Sequence, residues 1–311
     1  MSEKAFFQVI NSSEIWMELR KWMYPGKKSA RYYNYTNGDM ASYHGYLGLI
    51  VERLDSMVFT KNAMDGAAEK GHLEVVGWLH KNRKEGCNKH AIDWAARNGH
   101  VGVVKFLHTH RSEGCTKKAM DWAAMNGHSE IVKWLHLNGS EGCTTDAMDW
   151  AARNGDLELV QWLHNKSKTC TTNAIDWAAR NGHLEVVQWL HNKSKACTTK
   201  AMDSAAEKGH LHVIKWLHKN RSEGCTTAAI NSAAMNGHLK VVQWLAKHRS
   251  EGCTTNAAKL ATKNGYPEVA QWLNENGLDG RADARNWAQE QIKAYLQAHP
   301  EINQRLDGSD D

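Results

Sequence analysis

The chain has 311 residues, 41% of them apolar, and a formal net charge of +5 at neutral pH. That length suits two ordinary domains or one elongated one, and no stretch approaches the ~20 apolar residues of a membrane span. The mild charge permits an acidic partner without indicating nucleic acid, and three prolines with no Pro- or Ser-rich linker argue against beads on a string.

From the start, residues 1–16 lack a basic segment followed by an apolar one, so no secretory signal is expected. Residues 12–23, SSEIWMELRKWM, pattern as a capped amphipathic helix, which makes residues 1–36 an N-terminal capping region. Residues 38–54, GDMASYHGYLGLIVERL, align as a worn copy of the repeat that follows. Asp39-Met40-Ala41-Ser42 stands there for Asp-Trp-Ala-Ala, and Gly45 is the helix stop.

Eight clear repeats run from about Ala63 to Asn276, so residues 37–276 form one worn and eight clear copies. The seven cysteines Cys87, Cys115, Cys143, Cys170, Cys197, Cys225 and Cys253 are spaced by 28, 28, 27, 27, 28 and 28. In the fourth clear repeat, Thr144 or Thr145 can cap a first helix over residues 146–154. Met148, Ala151 and Ala152 give it one apolar stripe, and Gly155 stops it. A second helix over 157–165 carries Leu157, Val160, Leu163 and His164 on one broad side. Such a hairpin cannot bury its apolar surface alone and must stack on copies of itself. Beyond the repeats, residues 283–297, DARNWAQEQIKAYLQ, pattern as a second capping helix within 277–299, and 300–311 is a polar tail.

The run AMDWAARNGHLEVVQWL resembles the ankyrin repeat, whose helical part reads A-A-x-x-G-H-x-x-V-V-x-x-L. The resemblance spans about residues 39–276 and implies an all-α fold, a solenoid of stacked helix-turn-helix repeats. Two departures matter. The family's usual period is ~33 residues, against 27–28 here, so the β-hairpin fingers are expected to be shortened or absent. The family's T-P-L-H motif is missing, with Asp146-Ala147-Met148-Asp149 at the aligned place. The shortened form is similar to repeats multiplied in amoebae, oomycetes and giant DNA viruses.

Several residue series could carry chemistry. Packed helices lie ~8–10 Å apart, too far for equivalent cysteines to bridge, so the cysteines read as buried thiols and imply a reducing compartment, cytoplasmic or nuclear. One histidine series follows the glycine (His72, His100, His128, His183, His210, His238) and another ends the second helix (His80, His108, His136, His164, His191, His218). One His and one Cys per layer do not converge on a tetrahedral metal site, so no metal or cofactor is expected, and helix-end bonding suffices for the histidines. Asp65, Asp93, Asp121, Asp149, Asp176 and Asp203 offer one carboxylate per layer, which suits a bond to loop N–H groups of a neighbouring repeat. No nucleophile with a base and no phosphate loop is present, so the chain is not expected to be an enzyme.

The tryptophans fall into two sets. Trp78, Trp134, Trp162, Trp189, Trp216, Trp244 and Trp272, with Phe106, hold one second-helix position and read as core or near-core. Trp94, Trp122, Trp150 and Trp177 hold a first-helix position that elsewhere accepts Gly66, Ser204, Ser232 and Leu260, which implies a half-exposed row. Arg97, Met125, Arg153 and Arg180 lie three residues on and share that face. They match ankyrin positions that commonly touch partners. These eight residues are the candidate site for another protein, unless each arginine simply covers its own ring. A rival is a polyanion site on a basic ridge: Lys81, Arg83 and Lys84; His110 and Arg111; Lys166 and Lys168; Lys193 and Lys195; Lys219 and Arg221; Lys247 and Arg249. Glu85, Glu113, Glu141, Glu223 and Glu251 dilute that ridge, and it lacks interleaved aromatics, which disfavours nucleic acid. A third reading makes the N-terminal helix a recruiter of ubiquitin-ligase machinery, as in F-box–ankyrin fusions, though the first ~35 residues carry no clear F-box signature. The expected state is a monomer, or weak self-association through the solenoid ends.

Overall fold

The computed structural model of the chain describes residues 37–278, apart from Ser140 and Ser167. The amphipathic helices expected at 12–23 and 283–297, and the tail from residue 300, lie outside the described residues. Within the described residues the chain is all-helical, and an isolated bridge between Asn37 and Val58 is its sole β-type pairing. The worn copy supplies α1 (Gly38–Tyr43) and α2 (Leu47–Glu52). The first three clear repeats supply α3 (Lys61–Glu69) and α4 (Leu73–Asn82), α5 (His90–Arg97) and α6 (Val101–His110), α7 (Lys117–Met125) and α8 (Ser129–Asn138). The next three supply α9 (Asp146–Arg153) and α10 (Leu157–Asn165), α11 (Asn173–Arg180) and α12 (Leu184–Asn192), α13 (Lys200–Glu207) and α14 (Leu211–Asn220). The last two are α15 (Thr227–Met235) with α16 (Leu239–His248) and α17 (Ala257–Lys263) with α18 (Pro267–Glu275).

The chain divides after Thr144 into two compact units. In the first, α1, α3, α5 and α7 pack each on the next, and α4 and α8 flank α6. In the second, α9, α11, α13, α15 and α17 pack in the same order, with α10 on α12 and α16 on α18. Each unit is therefore a stack of helical hairpins. Only residues 83–89 join α4 to α5, and the other described connections are equally bare, so the hairpin fingers are absent among the described residues.

The layers are thin because the first helices are built on alanine. Met148, Ala151 and Ala152 are fully buried, joined by Ala147. The second helix buries Leu159, Val160 and Leu163. Leu157, expected on that face, is only half-buried, since it is the first helical residue and stands at the rim of the layer. The turn between the helices needs glycine twice over. At Gly71 the backbone is left-handed (φ 77°), and a Cβ there would lie 2.4 Å from Nδ1 of His100, whose ring packs on the glycine of the preceding repeat.

The joint between repeats is polar, with its carboxylate buried at Asp65, Asp93, Asp121, Asp149 and Asp176 and half-buried at Asp39 and Asp203. The Asp93 carboxylate accepts from the Thr116 N–H at 2.8 Å and from its hydroxyl at 2.8 Å. The Thr116 hydroxyl oxygen in turn accepts from the Lys118 N–H at 3.2 Å and so caps α7. The same joint is made by Asp39 to Thr60, Asp65 to Asn88 and Asp121 to Thr144 in the first unit. In the second unit it joins Asp149 to Thr171, Asp176 to Thr198 and Asp203 to Thr226. The expected aspartate-to-loop bond is present, with the threonine hydroxyl added. The capping threonine stands directly before α3, α7 and α15 (Thr60, Thr116 and Thr226) and two residues before α11 and α13 (Thr171 and Thr198). Burial raises the Asp65, Asp149 and Asp176 carboxyls, against the pull of the bonds they accept.

The post-glycine histidines tie the same layers together. Nε2 of His72, His100 and His238 lies 3.2, 3.0 and 3.0 Å from the carbonyl oxygens of Tyr43, Glu69 and Glu207. A carbonyl only accepts, so Nε2 donates. The helix-end histidines instead stand edge-on to the next repeat's aromatic, at 5.1 Å for His108 on Trp134 and 5.2 Å for His191 on Trp216. Trp78 and Phe106 are buried and the other second-helix tryptophans are half-buried, near-core as expected.

Two outcomes follow. Asp176→Ala leaves the Thr198 N–H and hydroxyl without their acceptor and should lower unfolding free energy by about 2–3 kcal/mol in urea titrations. Asp176→Asn should cost less, because Asn231 already occupies this position and accepts from the Thr254 N–H at 2.9 Å. Burial lowers the His72, His100, His183 and His210 pKa below 6.5. The folded chain then binds fewer protons than the unfolded chain below that value, so stability is level above about pH 6.5 and falls beneath it. The melting temperature should drop between about pH 7 and pH 5.5, and a rise would refute this.

Candidate functional site

The first-helix tryptophans are placed by the alanine stripe. With Ala95 and Ala96, or Ala123 and Ala124, facing the core, the residue just before each pair turns to the helix flank. Trp94, Trp122, Trp150 and Trp177 are all half-buried, as the row of tolerant positions implied.

In the first unit, the His90 ring stacks on Trp94 with centroids 5.4 Å apart and 18° between planes. Arg97, exposed, does not cover its own ring. Its guanidinium lies 5.8 Å from the Trp122 ring of the next repeat, which Lys118 also approaches at 5.4 Å. Trp94 and Arg97 line a surface pocket of about 550 Å³ with Glu69, Lys70, Asn98 and His100. Asn98 and His100 are held in place by the Glu69 carbonyl, at 2.9 and 3.0 Å. Met125 is half-buried at the end of α7.

In the second unit, Trp150 and Trp177 lie 4.8 Å apart with planes tilted by 38°. Arg153 covers its own Trp150 at 4.9 Å. Arg180 turns away from Trp177 and bonds Glu207 of the next repeat at 2.8 Å. The three arginines therefore behave in three ways, and only Arg153 follows the self-covering pattern. The pocket residues Lys70 and Asn98, and His90, whose ring stacks on Trp94, were not singled out in the sequence. Lys70 and Asn98 sit in the same two-residue stretch between Ala-Ala and Gly that holds Arg97, and His90 precedes Trp94 by four residues, which is the signal that finds them.

The loop edge carries the supposed basic ridge. There Nε of Arg83, Arg111, Arg221 and Arg249 donates to the carboxylate two residues on, Glu85, Glu113, Glu223 and Glu251, at 3.1–3.2 Å. Each Nη2 completes a fork with the other oxygen. Burial alone would raise the Glu113 carboxyl, yet Arg111 and the Cys87 N–H hold it at about 2. The arginines of the ridge are thus matched by carboxylates. The edge also has more aromatic content than the sequence indicated, because Lys166 and Lys193 lie over Trp162 and Trp189 at 5.9 and 5.6 Å.

All seven cysteines are free thiols, and burial raises Cys87 and Cys115 to about 12 and Cys197 and Cys225 to about 11. These are poor nucleophiles at neutral pH. Among the described residues, no group of three or more His, Cys, Asp and Glu side chains is placed to hold a metal ion. No helix among them is long and apolar enough to cross a membrane.

Comparison with known proteins agrees with the hairpin stacks. A family model described as ankyrin repeats in three copies matches residues 63–149, 120–203, 148–227 and 202–283, more than half of the chain. No curated protein matches it.

The two 27-residue steps leave a mark on the backbone. In the long loops a glycine takes the left-handed conformation, as at Gly224 (φ 72°), whereas in the short loop after α12 the residue is Ser194 (φ 54°). A left-handed non-glycine costs roughly 1–2 kcal/mol, and glycine adds about 0.5–1 kcal/mol of backbone entropy cost. Ser194→Gly should therefore stabilise the protein by about 0.5–1 kcal/mol, read as a raised melting temperature.

Proposed function

The chain belongs to the ankyrin-repeat family, and on that footing we propose that it is a non-enzymatic scaffold that binds another protein through its first-helix face. Ankyrin repeats are in general protein–protein interaction modules. The contact residues in this reading are Trp94, Arg97, Trp122 and Met125 in the first unit and Trp150, Arg153, Trp177 and Arg180 in the second. One observation carries it. The position that holds tryptophan in four repeats takes Gly66, Ser204, Ser232 or Leu260 in others, while a joint to the next repeat persists beside Gly66 (Asp65 to Asn88), Ser204 (Asp203 to Thr226) and Ser232 (Asn231 to Thr254), and His238 keeps its carbonyl. Four half-exposed indoles are therefore not needed for the stack, and one of them opens into the pocket at Lys70, Asn98 and His100. Large aromatic and arginine side chains are what the energetic centres of interfaces select. The buried thiols support a reducing compartment, cytoplasm or nucleus.

The test is Trp122→Ser combined with Trp150→Ser, one ring from each unit, using the residue that Ser204 and Ser232 already place there. Melting should change little, and the proteins captured by the wild-type chain should be lost. Capture that is unaltered in a variant of normal stability discards this face as the binding site.

A further inference from the structure

We propose that the two short loops after α10 and α12 form a second binding site, separate from the tryptophan face, for an acidic segment of a partner protein in extended conformation. Lys166 and Lys168 lie in the first loop and Lys193 and Lys195 in the next, and none of the four has a carboxylate partner among the described residues. In four of the longer loops an arginine is neutralised by the glutamate two residues on. The short loops have lost that glutamate and its glycine but kept their cations. Loop shortening has therefore unmasked charge at two neighbouring repeats.

The geometry favours a ligand that needs point charges. Lys166 and Lys193 are exposed, yet their ammonium groups rest over Trp162 and Trp189, which restrains two long side chains before any ligand arrives. The same contacts cap the rings, and His164 stands edge-on to Trp189 at 5.2 Å, so a stacking base would have to displace a lysine. The patch is also narrow. At its border Arg221 is forked to Glu223 and donates from Nη1 to the Lys195 carbonyl at 3.1 Å. A duplex presents a charge every ~1.7 Å, and two layers about 8–10 Å apart give it little to hold. A polyproline-type segment, by contrast, repeats one face every three residues, about 9 Å. A carboxylate at every third residue thus meets one lysine pair per layer.

The probe is a fluorescein-labelled (Glu-Ala-Pro)4 peptide, followed by fluorescence anisotropy on the full chain. Wild type should bind it, more weakly as salt rises. Two variants report on the site. The first exchanges residues 165–169 and 192–196 for the sequence at 109–114, Thr-His-Arg-Ser-Glu-Gly, a loop this protein already folds around. The second is Lys168→Gln with Lys195→Gln, which leaves the tryptophan-capping lysines in place. The exchange should weaken binding at least tenfold and the double glutamine variant several-fold, while Trp122→Ser with Trp150→Ser leaves it unchanged. The proposal is overturned if wild type does not bind the peptide or if both loop variants bind as wild type does. Tighter binding of a dT12 oligonucleotide, or of phosphatidylserine vesicles, than of the peptide would overturn it too.

Discussion

Successive repeats are joined through a carboxylate, buried at Asp65, Asp93, Asp121, Asp149 and Asp176, on which the next repeat closes with the N–H and the side-chain donor of the residue that leads into its first helix. The bond pair does two jobs. It satisfies a carboxylate that the alanine layer has cut off from water, and it fixes the threonine whose oxygen then caps the following helix. An unpaired charge at that depth would cost several kcal/mol. The joint therefore works only when two repeats are in register, which makes it a device for phasing the stack as well as for holding it. Asn88 in place of threonine and Asn231 in place of aspartate preserve the essential donor and acceptor.

Around this joint the other recurrent residues act as a second layer of ties. Histidine after the glycine reaches back to a carbonyl and fills the space that a Cβ on the previous glycine would take. Arginine and glutamate of the loop form a fork, and in one layer the glutamate accepts from the preceding Cys87 N–H. Because so many bonds run between equivalent positions of successive layers, few positions are left to vary. Those few are the first-helix flank and the loops, and both candidate binding surfaces lie there.

The cationic residues show how one side-chain type takes different work from its neighbours. Arg97 caps the ring of the following repeat, Arg153 its own ring, and Arg180 a carboxylate. The difference at Arg180 is Glu207, placed one repeat later within reach of its guanidinium. On the loop edge the same logic decides whether charge is displayed. Where a glutamate follows two residues on, the arginine is neutralised; where the loop is one residue shorter, lysines stand unmatched beside tryptophan.

The sequence by itself determined the repeat, its helix-turn-helix content, the alanine stripe, the missing fingers and the structural role of the aspartates. All of these follow from periodicity and from the chemistry of a position repeated eight times, so one reading serves every copy. It also located the tolerant tryptophan position, because copies that disagree reveal where packing is loose. What only the tertiary structure decided involves partners one repeat away. Threonine as joint and cap together, histidine on the next aromatic, arginine over a neighbouring ring and the lysine–tryptophan pairs of the short loops all depend on distances between layers. Spacing along a chain fixes which residues share a helix face, but the direction taken by a long flexible side chain is set by whatever charge or ring the adjoining layer brings within a few ångströms.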